Sequence, residues 1–124
     1  MPTERKGLVL IVDDEADIRQ LFSLILRRDG WQTQTAANAK EALEMFRSAP
    51  PDVVVLDHRM PEMTGGELCE RLREGGLRCP VVLVSAAADI KTIAERVGID
   101  RYLAKPVSIA TLVDTVQRAA VDAD

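Results

Sequence analysis

The sequence predicts an α/β fold, a three-layer sandwich in which a five-stranded parallel sheet lies between two layers of helices. Three observations carry this. Apolar runs at Gly7 to Val12, Val53 to Leu56 and Val81 to Val84 are continuous, and each stops on a polar residue. A strand buried on both faces reads this way, as an unbroken Val/Ile/Leu run instead of an alternating one. Between the runs lie amphipathic stretches of helical period, and strict alternation of strands with helices gives a parallel sheet covered on both faces by right-handed crossovers. The length, 124 residues, fits one compact domain with a core of its own.

In chain order, the Gly7 to Val12 run ends at Asp13-Asp14-Glu15. A helix is expected from Glu15 on Ile18, Leu21, Phe22 and Ile25, closed by Asp29-Gly30. Trp31 to Ala36 alternates like a half-exposed edge strand, and Asn38 with Glu41 forms a capping-box pattern for a helix whose core face is Leu43 and Phe46. Ala49-Pro50-Pro51 ends that helix, because proline lacks the amide and clashes with the preceding turn. After the Val53 to Asp57 strand, a polar loop to Gly65-Gly66 precedes a short helix on Leu68 and Leu72 that runs into Gly75-Gly76. The Val81 to Ser85 strand, a helix on Ile90, Ile93, Ala94 and Val97 stopped by Gly98, a short strand from Arg101 to Ala104, and a helix on Ile109, Leu112, Val113 and Val116 complete the chain. The tail Asp122-Ala123-Asp124 is expected to fray.

Composition narrows the function. With 47% hydrophobic and 29% charged residues, the chain is ordinary for a globular protein and unlike disordered, collagen-like or membrane chains. Sixteen Lys plus Arg against twenty Asp plus Glu give a net charge of −4, without the basic cluster that direct nucleic-acid binding needs. Cys69 and Cys79 lack C-x-x-C spacing and are read as small packing residues on a helix and a strand. No signal peptide or bilayer-length apolar run is present, so a cytoplasmic protein without membrane contact is expected.

In a parallel sheet, the residues just past each strand gather along one edge, which is where open α/β sheets bind ligands. Here that edge collects Asp13, Asp14, Asp57, Ser85 and Lys105. Carboxylates about 5 Å apart repel by roughly 3 kcal/mol per pair at an effective dielectric near 20. A hard divalent cation offsets this, and Mg²⁺ prefers such an oxygen-rich shell. Lys105 suits a phosphoryl oxygen and Ser85 supplies a hydroxyl donor. Acid, metal, lysine and hydroxyl together are what phosphoryl transfer to a carboxylate requires, with Asp57 as nucleophile and Asp13 and Asp14 as metal ligands. Singly, the acids could start a helix, Ser85 could cap one and Lys105 could be a surface charge; the joint placement favours the functional reading.

Over Val9 to Ala120 the sequence resembles the receiver domain of two-component response regulators, including the chemotaxis receivers. The motifs are Ile11-Val12-Asp13-Asp14-Glu15, Leu56-Asp57 with Met60-Pro61 and Gly65, Val84-Ser85-Ala86, and Tyr102-Leu103-Ala104-Lys105-Pro106. The resemblance implies a flavodoxin-like strand order 2-1-3-4-5, for which a receiver is itself a standard example, and a single receiver domain over 1–124 with its core at about 7–121. It implies that Asp57 accepts a phosphoryl group from a sensor histidine kinase or histidine phosphotransfer protein, and that Lys105 and Ser85 grip that group. Asp14 would bind Mg²⁺ directly and Asp13 mainly through water, with Asp57 and the Arg59 backbone carbonyl completing the shell; Mn²⁺ is the expected substitute. Movement of Ser85 would be coupled to an inward turn of Tyr102, remodelling the face from the fourth to the fifth helix for a downstream protein, an output domain or a homodimer partner. Pro106 matches the family's cis proline.

Arg59 and Ala87 stand where the family tunes phosphate lifetime, and Val107 replaces a frequent Phe. His58 is read as structural or exposed, since adjacent strand positions face opposite ways. Two alternatives differ in class: a receiver acting as a phosphorylation-independent interaction module, and an aspartyl-phosphate phosphatase of the haloacid-dehalogenase type. The second expects two acids two residues apart, where this chain has the adjacent Asp13-Asp14, and the first expects loss of a key acid or of the lysine. A protein that catalyses only its own phosphotransfer and dephosphorylation is therefore the expectation.

Overall fold

The computed structural model describes residues 6–122. Ten elements alternate along the chain: β1 (Leu8–Val12), α1 (Ala16–Arg28), β2 (Gln32–Ala36), α2 (Ala39–Ser48), β3 (Val53–Asp57), α3 (Gly65–Glu74), β4 (Val81–Ser85), α4 (Ile90–Val97), β5 (Arg101–Ala104) and α5 (Ile109–Asp122). All strand pairs are parallel, in the order β2-β1-β3-β4-β5. This is the expected three-layer flavodoxin-like architecture.

The side-chain period of two splits each buried strand between two cores. Leu10, Val12, Val54, Leu56, Val81 and Leu83 face Leu68, Leu72, Ile90 and Ile93 on the α2, α3 and α4 side. Val9, Ile11, Val53, Val55, Val82 and Val84 face Phe22, Leu26, Leu112 and Val116 on the α1 and α5 side. The winding direction reverses between β1 and β3, so their C-terminal ends diverge into a crevice. Register sets what lines it: Val12 pairs with Leu56, Asp57 with Val84, and Ser85 with Ala104.

Several local expectations are corrected. Leu21 is 47% exposed, because the α1 core stripe runs through Phe22, Ser23, Ile25 and Leu26. Trp31 precedes β2; its amide donates to Leu26 O at 3.0 Å and finishes the helix turn, while its indole is buried. The first strand begins at Leu8, since Gly7 has φ 127° and a Cβ there would lie 2.5 Å from Asp52 Oδ2. Asn38 caps Glu41 N–H at 2.9 Å, but Glu41 Oε1 accepts from Ala37 N–H and not from Asn38, so the box closes one residue early. Gly65 and Gly66 belong to α3, whose N-cap is Thr64 with a full capping box to Glu67. Cys69 packs in α3 as expected, whereas Cys79 lies in the bend before β4. Asp122 stays helical and pairs with Arg101; Ala123 and Asp124 lie outside the described residues. Among those residues, no helix is long and apolar enough to cross a membrane.

Candidate functional site

The crevice at the ends of β1 and β3 brings Asp13, Asp14 and Asp57 together, with one carboxylate oxygen from each within 4.8 Å of the others. Asp13 and Asp57 are buried and Asp14 is exposed. Asp13 is held on every side: its amide donates to Ala36 O at 3.2 Å, its Oδ1 accepts from Glu15 N–H at 2.9 Å, and its carbonyl accepts from Arg19 Nη1 at 2.7 Å. Lys105 reaches in from the end of β5, its own amide donating to Ser85 O at 2.9 Å. Its Nζ lies 3.0 Å from Asp13 Oδ2, 3.5 Å from Asp57 Oδ1 and 3.8 Å from Glu15 Oε1. The Lys105–Pro106 peptide is cis.

Burial raises the Asp57 pKa from 3.8 to about 6, with Asp13 and Asp14 adding to the rise and Lys105 opposing it. For Lys105, burial would lower the pKa, but the Asp13 hydrogen bond and the charges of Asp57, Asp13 and Glu15 outweigh it and raise the value. One ammonium thus leaves Asp57 incompletely compensated. An oxygen-rich cluster with surplus negative charge fits a hard divalent cation, and these three carboxylates can hold one.

The remaining expected residues surround this centre. Ser85 is fully buried, and its Oγ accepts from Ala87 N–H at 3.1 Å. Arg59 and Ala87 line one cavity of about 590 Å³ together with Asp14, His58, Asp89 and Ile93. Tyr102, on the edge strand opposite Leu83, is 37% exposed and turned outward. His58 is half-buried and structural in its contacts: its amide donates to Val84 O at 2.9 Å and its Nδ1 accepts from Gly66 N–H at 3.3 Å. Burial, then the charges of Arg96 and Arg59, lower its pKa.

Three contributors were not singled out from the sequence as site residues. Glu15 was read as a strand-mouth acid, a helix start and part of the Asp13-Asp14-Glu15 motif, without a site role, yet it faces Lys105. Arg19 clamps the Asp13 carbonyl from the first turn of α1, and no spacing signal marks it. Gly65 admits α3 to the site, because a Cβ there would stand 2.5 Å from Asp57 O and 2.8 Å from His58 Cα.

A buried acid at the end of a central strand, flanked by two acids and a lysine on a five-stranded parallel sheet, defines a class before any comparison is made. Residues 9–117 match the response regulator receiver domain, and the chain belongs to that family. It is a receiver domain of two-component response regulators. It is 40% identical over 113 residues to the regulatory protein AtoC of Escherichia coli (strain K12), a match covering 90% of this chain and 24% of AtoC. Identity is 35% over 102 residues to the alkaline phosphatase synthesis transcriptional regulatory protein PhoP of Bacillus subtilis (strain 168), covering 81% of this chain and 42% of PhoP. Among solved structures it is similar to Vibrio cholerae chemotaxis protein CheY4, with TM-score 0.84 and 34% identity over 91% of this chain and 98% of that one. The receiver domain of Francisella response regulator 1452 superposes with TM-score 0.86 and 32% identity over 95% of this chain and 99% of that one. The chain spans between about a quarter and a half of the length of the curated relatives it matches.

Proposed function

We propose that this chain is a phosphorylation-dependent signalling switch in which Asp57 accepts a phosphoryl group from a sensor histidine kinase or histidine phosphotransfer protein. The observation that carries the reading is the buried Asp57 carboxylate, 3.5 Å from Lys105 Nζ and inside a cluster of three acids. An Asp57 oxygen forms the new O–P bond as the donor's N–P bond breaks; the donor ring nitrogen keeps the N–P electron pair, and with a proton from solvent the ring departs as neutral imidazole. Asp13, Asp14, Asp57 and the Arg59 carbonyl would hold Mg²⁺, or Mn²⁺ in its place, which supplies positive charge against the phosphoryl oxygens.

Lys105 now rests on Asp13, and a phosphoryl oxygen at Asp57 would give its ammonium a second anionic partner at short range. Ser85, currently bonded to Ala87, has the hydroxyl that would turn toward the same group. That movement vacates space beside β5 and lets the outward Tyr102 ring turn in, altering the α4–β5–α5 face. Arg59 and Ala87, sharing a cavity mouth with Asp14, would set how readily water reaches the acyl phosphate. The reading places the chain in the cytoplasm as one receiver domain over 1–124, signalling through a downstream protein, an output domain or a second copy. Names such as those of AtoC and PhoP support a regulatory output, with any DNA contact made outside this net-acidic domain.

The test is intact-mass measurement after incubation with Mg²⁺ and acetyl phosphate. The expected result is one added phosphoryl group in the wild type and none in Asp57→Asn or in the presence of EDTA. Equal incorporation by Asp57→Asn would overturn the assignment of the acceptor.

A further inference from the structure

We propose that His58 is a positioning residue of this site: its imidazole takes the second free amide of α3 and so fixes the 58–64 loop, which carries the Arg59 carbonyl, two residues after Asp57 in the chain. The inference rests on the reading of the acidic cluster as a divalent-cation site.

The first four amides of a helix have no partner inside it. In α3, Gly65 N–H donates to His58 O at 2.8 Å, Gly66 N–H to His58 Nδ1 at 3.3 Å, Glu67 N–H to Thr64 Oγ1 at 3.1 Å and Leu68 N–H to Thr64 O at 2.9 Å. Thr64 is an ordinary local cap. His58 lies eight residues before Gly66 and satisfies two amides at once, one through its backbone and one through its ring. The loop between them is thereby closed into a ring pinned at His58.

Two glycines make the closure possible, each for a different neighbour. A Cβ at Gly65 would collide with Asp57 O and His58 Cα, so the helix start is pressed onto the strand end. A Cβ at Gly66 would stand 2.7 Å from Val97 Cγ1 and 3.6 Å from His58 Cε1, so the imidazole sits beside the first turn of α3 where α4 also packs. For Nδ1 to accept, the proton must be on Nε2. Arg59 is the next residue along, so its carbonyl lies one residue beyond the doubly held His58. An apolar side chain at 58 would leave Gly66 N–H to find water, loosening that start. Mg²⁺ demands near-ideal octahedral geometry, so a small drift of one ligand weakens binding.

The test compares His58→Leu with His58→Asn. Both are near the size of the imidazole, and Asn Oδ1 is bonded to Cγ as His Nδ1 is, so only Asn keeps the acceptor. Gly66 amide exchange is measured by NMR in the metal-free protein, and Mg²⁺ affinity by calorimetric titration. The expected result is Gly66 exchange faster in His58→Leu, with Mg²⁺ bound about tenfold more weakly, while His58→Asn stays close to wild type in both. Wild-type Mg²⁺ affinity in His58→Leu would overturn the proposal, as would equal losses in the two variants. A wild type that bound no Mg²⁺ would overturn the cation reading and this proposal with it. Failure of the cap alone is told apart by Gly66 exchange, which needs no metal.

Discussion

Asp57 is a carboxylate held at a poor place for a negative charge, and that is measurable without any phosphodonor. Its folded pKa is raised, to about 6 from 3.8. A raised acid binds its proton more tightly in the folded state, so its contribution to stability is present below the unfolded value and is lost as pH rises through about 6. Asp57→Asn removes the charge while keeping the shape. In metal-free protein it should therefore raise stability by ~3 kcal/mol at pH 7.5, with the gain shrinking toward zero near pH 4; denaturant melts at both pH values check it. Protons would compete with a bound Mg²⁺ for the same oxygens, so Mg²⁺ affinity of the wild type should fall as pH drops below about 6.

Lys105 is the cation that opposes the rise. Lys105→Met should push the Asp57 pKa above about 6, visible as a displaced carboxyl carbon titration. It should also destabilise the metal-free chain by ~1–3 kcal/mol, since buried acids lose their partner. An unchanged Asp57 titration would show that the ammonium is not the compensating charge. The contact order among these residues was not readable from spacing: Lys105 touches Asp13 more closely than Asp57, and Ser85 bonds to Ala87 instead of to any acid. Both are choices of side-chain direction that topology leaves open.

At the scale of elements, the site depends on how closely α3 approaches the end of β3. Gly65→Ala puts a methyl against backbone atoms on two residues, Asp57 O and His58 Cα, neither of which can rotate away. The expected cost is ~2–3 kcal/mol, together with weaker Mg²⁺ binding as the loop is pushed outward. Gly76→Ala is the comparison, having φ 105° and nothing within 4 Å of the added carbon. Its cost should be ~1–2 kcal/mol from backbone strain alone, with Mg²⁺ binding unaffected. Thermal melts and titrations on the two variants separate close approach from conformational freedom.

Helix boundaries show how far local reasoning reaches. Both the Asn38 and Thr64 caps follow from side-chain chemistry, but only Asn38 was read from the sequence, the polar loop before Gly65 having been left without a cap. The facing of α1 was not. Ile18, Leu21, Phe22, Leu24, Ile25 and Leu26 spread around more than half the helix, and periodicity alone allows several stripes. Packing against β1, β2 and α5 chooses the one that leaves Leu21 and Leu24 outside.

For the whole molecule, the fold was legible because burial on both faces of a parallel sheet forces a composition that few other structures share. Val53 to Leu56 and Val81 to Val84 are entirely buried, as their unbroken apolar runs require. The gathering of Asp13, Asp14, Asp57 and Lys105 follows from parallel strands alone, although the adjacency of β1 to β3 came from resemblance and not from periodicity. The contacts of Arg19 with Asp13 and of Glu15 with Lys105 stayed hidden because both depend on side-chain directions that spacing leaves open. The two cores predict unequal consequences for the site. Leu56→Ala, in the core beneath α3 and α4 and next to Asp57, should cost ~2–5 kcal/mol and loosen the site as well.

The central claim is that charge chemistry at Asp57 is read out on the α4–β5–α5 face. The most direct measurement is a backbone NMR shift map on adding Mg²⁺ and beryllium fluoride to the wild type and to Asp57→Asn. Wild-type shifts are expected at Asp13, Asp14, Asp57 to Arg59, Ser85 to Ala87, Tyr102 and Lys105, extending along α4 and α5, with none of these beryllium fluoride shifts in Asp57→Asn. The same shifts in both proteins, or wild-type shifts that stop short of Ser85 and Tyr102, would contradict it.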